Sequence, residues 1–132
     1  MRIIFIIKDT TYIWYMNEVY AICFTHAICV LSIFTYEWIL PKTWCDPLRK
    51  SFDRGFDGWS LTHIGYYSYL SYNYPDQIQV LLITGVLWEI FEHFYGIITK
   101  NRWWFGRFED LCMNGIGIYI GLELKSYYLS YT

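Results

Sequence analysis

Charge is what this chain has least of. Only 17% of its 132 residues are Asp, Glu, Lys or Arg, against about 25% in an average soluble domain. The formal net charge is −2, too small an imbalance to point to a nucleic-acid partner. Proline occurs three times, and Pro41 and Pro75 each close an apolar segment, as a residue without a backbone N–H does. Cys23, Cys29, Cys45 and Cys112 form no C-x-x-C pair and no zinc-ligand spacing. Three of them fall in apolar segments, so buried free thiols are expected. The opening "MRIIFIIKDTTY" is too short in apolar run for a cleavable signal, and no small-residue cleavage site follows. The first long span is therefore expected to act as an uncleaved anchor. Low-complexity tracts and convincing internal repeats are also missing.

What is abundant is apolar and aromatic surface. The apolar fraction is 55% and the aromatic fraction 23%. Tyr and Trp favour membrane–water interfaces, where ring and polar tip are both satisfied. The expected class is all-α: one membrane domain over residues 1–132, a polytopic bundle of about four transmembrane helices, since about 20 apolar residues cross a bilayer. Four segments carry that expectation, at roughly 17–40, 59–74, 77–99 and 110–130. The second is short and Tyr-rich, and crosses only where the bilayer is thin or if its helix starts near Asp57.

Basic residues orient the spans. Lys42, Arg49, Lys50 and Arg54 lie in the first connection, and Lys100, Arg102 and Arg107 in the third. The second connection, around "YPDQ", holds none. An alternating path puts the first and third connections on one side, which the positive-inside rule makes cytoplasmic. "RWWFGRF" (102–108) then reads as an interfacial belt.

That path gathers the polar residues of segments two to four into one leaflet. Asp57, Ser60 and His63 open segment two, Glu89, Glu92 and His93 lie toward the end of segment three, and Asp110 and Asn114 open segment four. Glu89, Glu92 and His93 stand at i, i+3 and i+4, and so share a helix face. Asp110, Asn114, Gly117 and Gly121 share another. The glycines allow a close helix–helix approach, which would turn the carboxylate and amide into the seam. Ser60, His63 and Tyr67 make a third stripe. The bundle would enclose carboxylates, an imidazole and an amide: a metal-ligand set, an acid–base set or a hydrogen-bonded plug. His26 has no acidic partner at helical spacing and reads as a packing histidine.

Three motifs stand together: "DGWSLTH" (57–63), "WEIFEH" (88–93) and "EDLCMNGIGIYIG" (109–121). In that order they resemble the VanZ-like small polytopic membrane proteins, whose pattern is an Asp and a His opening one helix, Trp-Glu-x-x-Glu in the next and Asp-x-x-x-Asn-x-x-Gly in the last. The resemblance covers residues 57–121. His93 departs from the branch of this group that it most resembles, and residues 1–56 match no pattern. More distantly, "LCMNGIGIYIG" is similar to the ending of base-exchange phosphatidylserine synthases, although the loop "NRWWFGRFED" carries fewer acids and the Asp-to-Asn spacing is one residue shorter. That second resemblance implies a calcium-binding site at a lipid headgroup.

Two readings follow. In the first, the chain is a membrane enzyme acting on lipid headgroups: His63, Glu89 and Glu92 are catalytic, with His63 a general base of suitable pKa. Glu89, Glu92, Asp110 and Asn114 would hold a divalent cation, calcium or magnesium. In the second, the same residues pin helix register in a non-catalytic membrane-embedded scaffold, with protein partners in a membrane-associated assembly, such as the membrane layer of a large virus particle. Ion transport fits less well, because four short helices show no repeat. Membrane lipid is the expected partner, in a cellular membrane or an internal membrane of a virion.

Overall fold

The computed structural model describes residues 2–39, 47–49, 56–99 and 107–131. The described residues are helical, without a strand: α1 (Arg2–Ile39), α2 (Gly58–Asn73), α3 (Ile78–Thr99) and α4 (Phe108–Leu129), with 3-10 turns at Pro47–Arg49 and Pro75–Gln77. The chain divides into two compact units, Met1–Trp44 and Cys45–Thr132.

The first unit is α1. Its helix begins at Arg2, well ahead of the expected start near residue 17. Nothing between Arg2 and Ile39 breaks a helix, because the stretch has no glycine and no proline. Met16–Thr35 is long and apolar enough to cross a membrane. Tyr20, Phe24, Ile28 and Leu31 are exposed. Thr25 donates to the Ala21 carbonyl, and His26 Nδ1 lies 2.9 Å from the Ile22 carbonyl. Both polar side chains are thereby satisfied inside their own helix.

In the second unit the local sequence sets the helix ends. Asp57 is extended and caps α2, accepting a hydrogen bond from the Ser60 N–H at 3.1 Å. Such a cap satisfies one of the orphan donors of the first turn. At the other end Pro75 disfavours helix at Tyr74, whose N–H closes the last turn on the Leu70 carbonyl at 2.8 Å. The chain turns through Pro75–Gln77 directly into α3. Glu109 and Asp110 occupy the first turn of α4, where negative charge complements the helix dipole.

α2 and α4 run parallel and pack along most of their length. The pairing keeps one register: Ser60 meets Asp110, His63 meets Asn114, Ser68 Oγ donates to the Gly117 carbonyl at 2.9 Å, and Lys125 Nζ sits 5.0 Å from the centre of the Tyr72 ring. Gly117 and Gly121 make this approach possible. A Cβ on Gly117 would lie 2.6 Å from the Ile64 carbonyl oxygen, and one on Gly121 would collide with Ser71 Oγ and the Ser68 carbonyl. α3 returns antiparallel and lays a stripe of Leu81, Gly85 and Glu89 against the pair. The core is small: Tyr67, Leu70, Leu81, Met113 and Ile118, with buried Ser60, Ser71 and Gln77 among them.

Many large apolar side chains of the described residues are exposed. On α3 alone Leu82, Ile83, Val86, Leu87, Ile90, Phe91, Phe94, Ile97 and Ile98 are exposed. Pro75–Ile98 is the second stretch long and apolar enough to span a bilayer. Among the described residues two helical stretches therefore qualify by length and composition, where about four were expected. α2, with 16 residues, reaches only about 24 Å at 1.5 Å per residue, and α4 carries Glu109, Asp110, Glu123 and Lys125. Cys23, Cys29 and Cys112 are free thiols, as expected, but Cys23 and Cys112 are exposed. An apolar segment buries its cysteines only on the face that another helix covers. Cys45 and most of "RWWFGRF" lie outside the described residues.

Candidate functional site

The polar cluster forms where α2 and α4 begin. Asp57, placed by its role as cap, accepts from Ser60, and its other oxygen lies 3.5 Å from Arg107 Nη1. Ser60 Oγ reaches across to Asp110 Oδ1 at 3.2 Å, a buried contact. About one turn further in, His63 Nδ1 is 2.8 Å from Asn114 Oδ1. An amide oxygen only accepts, so in this arrangement Nδ1 carries the proton, and in the neutral ring Nε2 is then the acceptor.

Glu89 brings α3 to the same place. Its Oε2 accepts from the Arg107 backbone N–H at 3.1 Å, a carboxyl group set at a helix N-terminus, where it satisfies one of the orphan donors. Its Oε1 faces His63 Nδ1 at 3.8 Å, beyond hydrogen-bond reach. Glu89, Asp110 and Asn114 are 5%, 6% and 3% exposed. Two buried polar atoms, Glu89 Oε1 and Asn114 Nδ2, have no hydrogen-bond partner in the protein. Buried polar groups are nearly always paired, and an orphan calls for a reason.

Gly85 explains how α3 comes so close. A Cβ there would lie 3.0 Å from the Tyr67 hydroxyl and 3.1 Å from Asn114 Nδ2. The position stands one turn before Glu89 on the same face, and the signal was in the sequence: an isolated glycine inside a helical run usually marks a packing constraint.

The structure thus unites His63, Glu89, Asp110 and Asn114. Glu92, a turn along α3, is half-buried, and its charge and that of Asp110 act on Glu89. His93 leaves the group: it is exposed and stands edge-on to Phe94, ring centres 6.0 Å apart. The shared face fails there because α2 and α4 begin level with Glu89, and the next turn of α3 runs past both ends. Arg107 was legible only as a loop base. Its tie to both Asp57 and Glu89 depends on the three helices meeting, which no local spacing encodes.

The donor chemistry was also read as a divalent-cation site. Among the described residues no group of three or more His, Cys, Asp and Glu side chains is placed to hold a metal ion. Glu89 gives one oxygen to a backbone N–H and Asp110 accepts from Ser60, so each carboxyl has one oxygen engaged within the protein. Comparison of the chain with protein-family models, with curated proteins and with solved structures finds no match.

Proposed function

We propose that this chain is a multi-pass integral membrane protein and that the cluster where α2, α3 and α4 meet receives the polar part of an amphiphile, such as a lipid headgroup. One observation carries the reading: Glu89 Oε1 is buried, in a predominantly apolar helix, without a hydrogen-bond partner. Leaving a buried polar group unpaired costs about 1–3 kcal/mol, more if charged, and a ligand that pairs with it recovers that cost on binding. Asn114 Nδ2 offers a donor beside it. An acceptor and a donor side by side suit a ligand group that both gives and accepts a hydrogen bond.

The geometry also supports a chemical role for His63. Asn114 holds its Nδ1–H, which leaves Nε2 as the basic atom, the arrangement a general base requires. Glu89 Oε1 lies 3.8 Å from that same nitrogen. No step is assigned to a metal.

The competing reading is a register pin in a scaffold protein. It is favoured by the three ties between helices: Ser60 to Asp110, His63 to Asn114 and the Arg107 N–H to Glu89. Native mass spectrometry of the protein released from mild detergent separates the two. Wild type is expected to retain an amphiphile that Glu89→Leu loses while keeping its helical circular dichroism. A wild type that carries none, or a variant that keeps the same complement and only melts earlier, would favour the pin.

A further inference from the structure

Two polar atoms of the cluster are buried and unpaired: Glu89 Oε1 and Asn114 Nδ2, on side chains 5% and 3% exposed. The atoms around them are engaged. His63 Nδ1 is held by Asn114 Oδ1 at 2.8 Å, Glu89 Oε2 by the Arg107 N–H at 3.1 Å, and Asp110 Oδ1 by Ser60 Oγ at 3.2 Å. The groups left for a ligand are one carboxyl oxygen and one amide N–H.

These two atoms restrict what that ligand can be. Asn114 Nδ2 gives a hydrogen bond and needs an acceptor. Glu89 Oε1 accepts when the carboxyl is ionised and can give when it is neutral. An ammonium group only gives, and leaves Asn114 unpaired. A phosphate diester only accepts, and suits Glu89 only in its neutral form. It would also bring negative charge to a place where Glu92 and Asp110 already act on Glu89. Among residues 56–99 and 107–131 the only arginine and lysine are Arg107 and Lys125. Arg107 is engaged by Asp57 at 3.5 Å and Glu109 at 4.0 Å, and Lys125 lies at the other end of the helix pair, over Tyr72. A hydroxyl both gives and accepts. It completes Glu89 in either state and brings no charge to be desolvated.

The neighbouring surface suits the rest of such a molecule. Val86 and Ile90 stand three residues before and one after Glu89, on adjoining parts of α3, and are 44% and 47% exposed. Acyl chains laid against them would hold the polar end of the same molecule at the cluster. Resting on the headgroup reading above, we infer that the site takes an uncharged, hydroxyl-bearing lipid of the acylglycerol class and discriminates against phosphate and ammonium headgroups. The hydroxyl pairs with Glu89 Oε1, and Asn114 Nδ2 donates to that hydroxyl or to an ester carbonyl of the same lipid.

Four probes with the same pair of octanoyl chains test this on the wild-type chain in mild detergent. They are dioctanoylglycerol, dioctanoyl propanediol (which lacks the hydroxyl), dioctanoyl phosphatidic acid and dioctanoyl dimethylammonium propane. Tryptophan fluorescence reads the titration, since Trp88 adjoins Glu89. Dioctanoylglycerol is expected to bind saturably and at least about tenfold more tightly than each of the others, the worth of one hydrogen bond to a buried polar group. Equal affinity for the hydroxyl and deoxy probes overturns the assignment, as does tighter binding of the phosphate or the ammonium probe; each of these results leaves the amphiphile reading standing. Saturable binding of none of the four overturns the amphiphile reading itself. Glu89→Leu is expected to bind the hydroxyl and deoxy probes alike, and a folded variant that keeps the preference would overturn Glu89 as the partner of the hydroxyl. The wild-type comparison stands whether or not that variant folds.

Discussion

Four polar side chains hold the starts of two helices against the middle of a third, and their partners assign them different roles. Asp110 and Asp57 are satisfied by Ser60 and Arg107, while Glu89 and Asn114 each keep one atom unpaired. Asn114→Leu removes the acceptor of His63 and is expected to lower stability by about 1–3 kcal/mol; Asn114→Ser, which keeps an uncharged acceptor, should cost less. Chemical denaturation in detergent measures both, and equal effects would argue against the His63–Asn114 bond. Arg107→Lys should not substitute for arginine, because a point charge does not reproduce the guanidinium geometry. His63, Glu89, Asp110 and Asn114 were legible because helical spacing places each on a predictable face. His93 was misread for a reason that spacing does not contain: the helices that would cover it begin one turn too late.

The elements were read more securely at their ends than in their extent. Asp57 and Pro75 bound α2 by cap and turn chemistry that is local in the chain, and α2 to α4 lie close to their expected limits. The start of α1 was missed because hydropathy marks where a span is needed, and a helix continues past that point until something stops it. The seam between α2 and α4 yields an internally controlled prediction. Gly117→Ala and Gly121→Ala force a Cβ onto the backbone of α2 and should destabilise by about 1–3 kcal/mol, as overpacking does. Gly65→Ala and Gly115→Ala meet nothing within 4 Å and should be neutral or stabilising by about 0.5–1 kcal/mol, since alanine is the better helix former. Thermal melts of the four variants decide it, and indistinguishable midpoints would mean that α2 and α4 do not approach at these glycines.

At the scale of the whole molecule the question is which solvent surrounds it. Two helical stretches are long and apolar enough to cross a membrane, and under the proposed membrane reading the basic residues of the first and third connections belong on one side of it. Cysteines introduced at Asn101 and Asp76 should therefore label from opposite faces of sealed vesicles; labelling from one face would contradict the alternating path. Calcium, magnesium or a chelator should leave the melting midpoint unchanged, because a ligand that binds only the folded state raises it and the side chains do not assemble a metal set; a chelator-induced drop would restore the cation reading. The most direct measurement is the collision of spin labels on α3 with oxygen and with a water-soluble nickel complex, in vesicles. Labels at Leu82, Ile83, Val86 and Leu87, all exposed on the protein, are predicted to meet oxygen readily and nickel hardly at all. Free access of the nickel complex to all four would show that α3 lies in water, and the membrane-embedded site would fall with it.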